Sequence, residues 1–194
     1  MKHLLLLLLL TVPALAEWKV TWKPFLLKSK TGYVQIAGKL PVVKGPGADK
    51  INARLRAFTL TRDPNAVEKE YPALYAENHY TEEVSVEVTR LDGKYLSLQR
   101  DAVGTLHRGA HPSLDFSGIT LNLATGEPAP LSDFVALQGL RDRIQAEGRK
   151  EMPDLELPDR KKWDWVLTKT GVRFLNLLEG HAVASFTVEL PLKK

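Results

Sequence analysis

The densest group of chemically active side chains spans residues 107–112, with the sequence His-Arg-Gly-Ala-His-Pro, and Asp115 follows three residues later. Two imidazoles and a carboxylate are acceptable zinc ligands. However, the i, i+4 spacing of His107 and His111 brings both rings to one side only in a helix, and the glycine and proline of this segment favour a loop. We therefore interpret it as a structural or ligand-binding loop, and we expect no metal and no cofactor.

A nucleophilic site would need a serine within hydrogen-bonding reach of a histidine and of an orienting third group. Ser97, Ser113 and Ser117 lie in the same region of the sequence as His111, but no G-x-S-x-G turn exposes any of them. Closeness along the chain is weak support for catalysis, so no catalytic residue is assigned. We expect Ser97 to occupy the solvent face of a strand.

Paired carboxylates, as in a glycosidase, would have to flank a cleft, and one of them would need a raised pKa. The candidates Glu82, Glu83, Asp154 and Glu156 occupy charged stretches that we expect to be solvated. The sequence therefore does not predict an enzyme. A hydrolase of envelope polymer, or a metalloprotein, is kept as the third possibility.

The four tryptophans form two pairs, Trp18 with Trp22 and Trp163 with Trp165, and each pair has the even spacing of one strand face. Aromatic faces of this kind can stack on sugar rings, but core packing explains the same spacing. We favour the core for both pairs. The second pair is the better candidate for exposure, because charged residues flank it.

Residues Met1–Ala16 have the pattern of a signal peptide. Lys2 supplies the positive charge, Leu4–Leu10 form a short apolar core, and Ala14-Leu15-Ala16 resembles a cleavage site. The apolar run is much shorter than the approximately 20 residues that span a bilayer. We expect a soluble, exported protein without a membrane span, in either a periplasm or the extracellular medium.

The sequence of 194 residues contains no cysteine, which excludes disulfides, thiolate zinc sites and a lipid-modified N-terminal cysteine. Loss of Lys2 with the signal peptide lowers the formal net charge from +4 to +3. Nucleic acid is not an expected partner for an exported protein, but an anionic envelope surface is compatible with this charge. The same charge counts against lysozyme as a partner, since lysozymes are commonly basic.

Alternating apolar and polar residues predict strands near residues 18–22, 33–40, 84–88, 95–99, 119–123, 163–167 and 182–190. Asp92-Gly93 is a dipeptide of type I′ hairpin turns, with positive φ at both residues. A first helix is predicted after Asp49, and a second starts at Asp63-Pro64 and ends at Pro72. A third is predicted from Leu131, with Ser132 or Asp133 as its cap and Leu137 on its apolar stripe. These elements predict an α+β fold, with a mostly antiparallel sheet meander and two or three helices packed against it.

Six short motifs resemble the bacterial DUF3298 family, and residues 17–80 resemble the DUF4163 segment that often precedes it. The motifs are residues 95–98 (YLSL), 109–112 (GAHP), 121–126 (LNLATG), 131–134 (LSDF), 167–174 (LTKTGVRF) and 186–191 (FTVELP). Arg108 departs from the family, which usually has a glycine at this position of the loop. The resemblance implies that a DUF4163-like part, residues 17–80, and a DUF3298-like part, residues 81–194, form one compact unit.

The resemblance also implies a function in recognition at the cell envelope. Family members are exported or membrane-anchored, and characterised relatives include the extracellular domain of a lysozyme-sensing anti-sigma factor. We therefore predict an exported, non-catalytic binding domain for peptidoglycan or another envelope polymer, and a lysozyme-binding inhibitor or sensor is the alternative. The expected ligand-binding residues are Arg108, Gly109, His111, Pro112 and Asp115.

Overall fold

The structure is a computed structural model that describes residues 17–109, 111–159, 162–178 and 186–193. The proposed signal peptide lies outside these residues, as do residues 182–185 of the strand predicted from residue 182 to 190. A five-stranded sheet has the order β1-β2-β3-β4-β5, and only the β2–β3 pair is parallel. Its strands are β1 Lys19–Lys28, β2 Val34–Lys44, β3 Tyr80–Leu91, β4 Tyr95–Leu106 and β5 Ser113–Asn122.

Three helices connect β2 to β3 and make the parallel pairing possible: α1 Ala48–Thr59, α2 Pro64–Glu70 and α3 Pro72–Asn78. Ile51 and Leu55 of α1 are fully buried and pack on one face of the sheet, as their spacing predicts. Asp63 caps α2 by accepting a hydrogen bond from the Asn65 N–H. Pro72 begins α3 instead of only ending α2, since proline fits the first turn of a helix.

A second sheet of three antiparallel strands packs near the opposite face of the first sheet. Its strands are β6 Asp164–Leu167, β7 Gly171–Leu175 and β8 Val188–Pro191, and helix α4 Leu140–Gly148 packs beside β8. The two sheets meet closely where the Leu167 N–H donates to Ser97 Oγ over 2.8 Å. Ser97 is therefore buried between the sheets, and its prediction as a solvent-face residue was wrong.

Two local predictions also need correction. Gly93 does not have a positive φ, so the β3–β4 turn is not type I′. The Asp92 side chain closes this turn by accepting hydrogen bonds from the N–H groups of Lys94 and Tyr95. The segment Leu131–Asp133 forms only a 3-10 turn, and α4 starts later, after Gly139 at φ 59°.

The observed architecture confirms the α+β fold with a mostly antiparallel sheet. One core cluster lies between α1 and the five-stranded sheet, and a larger one lies among the three-stranded sheet, α4 and the adjoining loops. Leu155 and Leu157 bring the proline-containing segment before β6 into the larger cluster. In the described part of the chain, no helix has the length and apolar character needed to cross a membrane.

Candidate recognition site

Strands β4 and β5 form a hairpin that carries the histidine-rich segment at its tip. His107, Arg108, Gly109, His111 and Pro112 are all exposed there. The His107 N–H donates to the carbonyl of residue 79 over 3.0 Å, which ties the tip to the end of α3. The structure thus brings four of the predicted ligand-binding residues, Arg108 to Pro112, to one exposed tip.

Arg108 adopts a left-handed backbone conformation, with φ at 67°. This conformation costs a residue with a Cβ atom about 1–2 kcal/mol, whereas glycine adopts it readily. The turn is closed by a 2.8 Å hydrogen bond from the Gly109 N–H to the Leu106 carbonyl. Arg108 therefore keeps a glycine-like backbone while it places a guanidinium in solvent.

Asp115, the fifth of the expected ligand-binding residues, lies in strand β5, and its environment differs from that of the tip. Its carboxylate accepts a 2.7 Å hydrogen bond from Arg100 Nη1. The Arg100 side chain is 1% exposed, whereas that of Asp115 is 63% exposed. Asp115 is therefore engaged with a buried cation of β4 and is not part of the exposed tip.

Glu82 is a second, buried carboxylate beside Arg100. The prediction that Glu82 lies in a solvated stretch was therefore wrong. Its side chain is 2% exposed and lies 3.5 Å from Arg100 Nη2. The other carboxylate oxygen accepts hydrogen bonds from Arg62 Nη1 over 2.9 Å and from the Tyr80 hydroxyl over 3.0 Å. We call Arg62, Tyr80, Glu82, Arg100 and Asp115 the charge chain.

The period-2 pattern of β3 contains the signal that could have identified Glu82. Val84 and Val86 face the helix side of the sheet, and Glu82 is two residues before Val84 on the same face. An acid on a buried strand face requires partners, because an unpaired charge is costly to remove from water. The sequence could not have named Arg62 and Arg100 as those partners, since they are 20 and 18 residues away.

Burial and pairing shift the titration of two members of the charge chain. Burial raises the pKa of the Tyr80 phenol, and the nearby Glu82 carboxylate acts in the same direction. Burial alone would lower the pKa of the Arg62 guanidinium, but the Tyr80 hydroxyl and the Glu82 carboxylate raise it. Tyr80 thus stays protonated as a donor, and Glu82 has charged or polar neighbours on several sides. The charge chain therefore links β3, β4 and β5 beneath the hairpin tip.

Ser97 and Ser113, two of the serines considered as nucleophiles, make structural contacts at opposite ends of the β4–β5 hairpin. Ser97 Oγ lies 2.8 Å from Thr120 Oγ1 in addition to its contact with Leu167, and Ser113 Oγ donates to the Gly104 carbonyl over 3.3 Å. Within the described ranges, no three histidine, aspartate or glutamate side chains form a group that could hold a metal ion. Asp115, the acid proposed as a third zinc ligand, is engaged by Arg100 instead.

The tryptophan pairs separate in the structure. Trp22 is 40% exposed, although the sequence analysis favoured the core, while Trp18 packs over Gly45. Trp163 and Trp165 are half-buried, and both line a groove beside the first turn of α4. Trp163 and Trp165 thus share one concave surface, whereas Trp22 lines a different one without Trp18. Trp22 is also more exposed than the second pair, which we had expected to be the more exposed.

Comparison with known proteins identifies the fold. A crystal structure of a DUF3298 family member from Bacteroides fragilis matches with a TM-score of 0.60 and 15% identity, covering 91% of this chain and 90% of that one. A DUF3298 family protein from Pseudomonas aeruginosa matches with a TM-score of 0.58 and 14% identity, again covering 91% and 90%. The chain has the DUF3298 fold. No protein-family model matches its sequence, and no curated protein matches it significantly.

The DUF3298 fold brings the two ends of the most motif-rich stretch into contact. Tyr95 begins this stretch and Phe134 ends it, and their ring centroids lie 5.0 Å apart in an edge-to-face arrangement. Phe134 also packs on Trp165 at 5.6 Å. The motifs around Tyr95 and Phe134 therefore join the five-stranded sheet to the three-stranded sheet.

Proposed function

We propose that this chain is an exported, non-catalytic binding domain of the cell envelope, with the tip of the β4–β5 hairpin as its recognition element. The observation that carries the proposal is the contrast between the exposed tip and the buried Glu82 and Arg100 side chains of the charge chain beneath it. Recognition residues commonly occupy loops that a rigid scaffold holds in place. The likeness to DUF3298 structures supports the fold on which this proposal rests.

The chemistry of the tip favours an anionic polymer. Arg108 contributes a permanent cation, and His107 and His111 contribute imidazole N–H groups that can donate hydrogen bonds. Among the described residues, Arg108 and His111 have no ion-pair partner. The carboxylates of peptidoglycan peptides are suitable partners for such a tip. A basic lysozyme is a poorer match to this charge.

We also propose that residues 17–80 and 81–194 act as one unit, as expected for a DUF4163-like part joined to a DUF3298-like part. The parallel pairing of β2 with β3 supports this, because it places strands of both parts in one sheet. The ion pair between Arg62 and Glu82 also connects the two parts. We expect their unfolding to be a single cooperative transition.

Export is tested separately from binding. When a bacterium expresses the full chain, mass spectrometry of the exported protein should show an N-terminus at Glu17. A protein that keeps Met1 and remains in the cytoplasm would contradict export. This result would not affect the binding measurement, which uses purified protein.

The binding test is co-sedimentation of the purified protein with insoluble peptidoglycan. The double variant Arg108→Gly/His111→Ala removes one guanidinium and one imidazole from the tip and preserves the left-handed turn, and Arg56→Ala removes an exposed cation of α1 as a control. Loss of two surface polar contacts should weaken binding about fivefold to tenfold, and the control should bind like the wild type. Equal binding by all three proteins would refute the tip as the site.

Two further arms of the experiment distinguish the alternatives. Binding that survives EDTA supports metal-free recognition, whereas binding lost with EDTA contradicts it. Capture of lysozyme in a 1:1 complex with loss of its activity would replace the peptidoglycan proposal by the lysozyme alternative. Release of reducing ends from peptidoglycan would contradict the non-catalytic assignment.

A further inference from the structure

A concave surface lies between the start of α4 and strand β6, and none of its described lining residues belongs to the charge chain. This groove has a volume of about 650 Å³, which is within the usual range of small-molecule sites. Its apolar lining consists of Leu131, Leu137, Leu140, Trp163 and Trp165. We call it the tryptophan groove.

The apolar lining of the tryptophan groove is accessible to solvent. Leu137 is 55% exposed, and Trp163 and Trp165 are half-buried. Trp165 is held in place by Phe134, whose ring centroid is 5.6 Å away. A concave patch of accessible leucine and tryptophan side chains is typical of a site that buries an apolar ligand.

The polar lining of the groove is cationic. Arg141 and Lys162 line it, and both side chains are exposed. Arg141 donates one hydrogen bond to the Leu157 carbonyl over 2.6 Å, which orients its guanidinium. In the described part of the chain neither cation has an acidic partner, and the described lining contains no acidic, amide or hydroxyl side chain.

We propose that the tryptophan groove binds a long-chain carboxylate, that is, a fatty acid. Its acyl chain lies against the leucines and the two tryptophan rings, where burial of apolar surface favours binding. Its carboxylate pairs with Arg141 and Lys162. A sugar fits this lining less well, because its hydroxyl groups require hydrogen-bond acceptors as well as donors. The proposal is independent of the hairpin tip.

The test is isothermal titration calorimetry of the purified protein with dodecanoate, kept below its micellar concentration. Dodecyltrimethylammonium has the same chain and the opposite charge, and it should bind at least about tenfold more weakly. An N-acetylglucosamine trimer is the sugar control and should give no heat of binding. Tighter binding of the trimer or of the cationic amphiphile would overturn the proposal, as would failure of dodecanoate to bind.

Two matched variants locate the site. Leu137→Glu adds a negative charge at an exposed leucine of the groove, and it should weaken dodecanoate binding at least about tenfold. Leu74→Glu makes the same change at an exposed leucine of α3, outside the groove, and should leave binding unchanged. If both variants bind like the wild type, the groove is not the site.

A third variant tests the head-group contact. Lys162→Met removes one rim cation, and it should reduce the preference for dodecanoate over dodecyltrimethylammonium while binding of the chain is retained. Lys162 has no hydrogen bond or ion pair with another described residue, so we expect the fold to tolerate the change. An unchanged preference would contradict the role assigned to this cation.

Discussion

The buried guanidinium of Arg100 donates a hydrogen bond to the largely exposed carboxylate of Asp115 on the neighbouring strand. On its other side, the same guanidinium faces the buried carboxylate of Glu82. Arg100 therefore connects β3, β4 and β5 beneath the hairpin tip. The two contacts differ in their exposure to solvent, and this difference leads to the first prediction.

Loss of Arg100 should be far more destabilising than loss of the Asp115 charge. Arg100→Met leaves Glu82 buried with only Arg62 and Tyr80, and we expect the free energy of unfolding to fall by about 3–5 kcal/mol. Asp115→Asn acts at an exposed position and should cost no more than about 1 kcal/mol. Urea denaturation of both variants measures the two free energies of unfolding. Equal losses of stability would contradict the role of Arg100 at the centre of the charge chain.

The left-handed backbone of Arg108 predicts an unusual preference between glycine and alanine. Arg108→Gly should be about 1 kcal/mol more stable than Arg108→Ala, because only glycine adopts this conformation without strain. At Thr105, an exposed position of β4, the order should reverse, since glycine weakens a strand. Thermal unfolding of the four variants tests this. Equal stabilities of Arg108→Ala and Arg108→Gly would exclude backbone strain at position 108.

Asp92 should make stability depend on pH at the acidic end. Burial alone would raise the pKa of this carboxyl, but hydrogen bonds from the N–H groups of Tyr95 and Lys94 and from the Arg90 side chain lower it. The lowered pKa of Asp92 stabilises the fold above about pH 4, the pKa of an unfolded aspartate, and this contribution is lost as the pH falls further.

The variant Asp92→Asn isolates that contribution, because asparagine can still accept the turn hydrogen bonds without a charge. At pH 7 the wild type should be more stable by about 1 kcal/mol, and the difference should close progressively below about pH 4. Urea denaturation at a series of pH values measures it. A difference that stays constant down to pH 2 would show that the Asp92 charge has no role.

Gly118 lies at a close approach of the two sheets. A Cβ atom at this position would lie 2.1 Å from the Trp165 carbonyl oxygen, whereas a Cβ at Gly93 would meet no atom within 4 Å. Gly118→Ala must therefore shift β5 from β6 and should cost about 1–3 kcal/mol. Gly93→Ala is the matched control and should be close to neutral. A neutral result at position 118 would mean that the sheets are not in tight contact.

The sequence predicted features that depend on local periodicity and composition. The Ile51/Leu55 stripe, the Asp63-Pro64 helix start and the alternation of β3 all appear as expected. Local patterns succeed there because a strand or helix must bury one face. Strand β7 and the late start of α4 were missed, since the first is a short run buried on both faces and the second depends on the left-handed Gly139.

The candidate site was predictable only in part. Proline and glycine correctly indicated a loop between His107 and His111, and this loop is exposed at the hairpin tip. The burial of Glu82 was not predicted, because its partners come from distant segments and the next residue, Glu83, is also charged. Similarly, the tryptophan groove needs α4 beside β6, and that contact is determined by tertiary packing.

The most direct test of the recognition proposal is the ratio of peptidoglycan affinities of the wild type and Arg108→Gly/His111→Ala in one sedimentation series. The proposal predicts that the wild type binds about fivefold to tenfold more tightly, and that added salt reduces this ratio by screening the tip charges. A ratio of one, or no sedimentation of the wild type with peptidoglycan, would contradict the assignment of the hairpin tip as the recognition element.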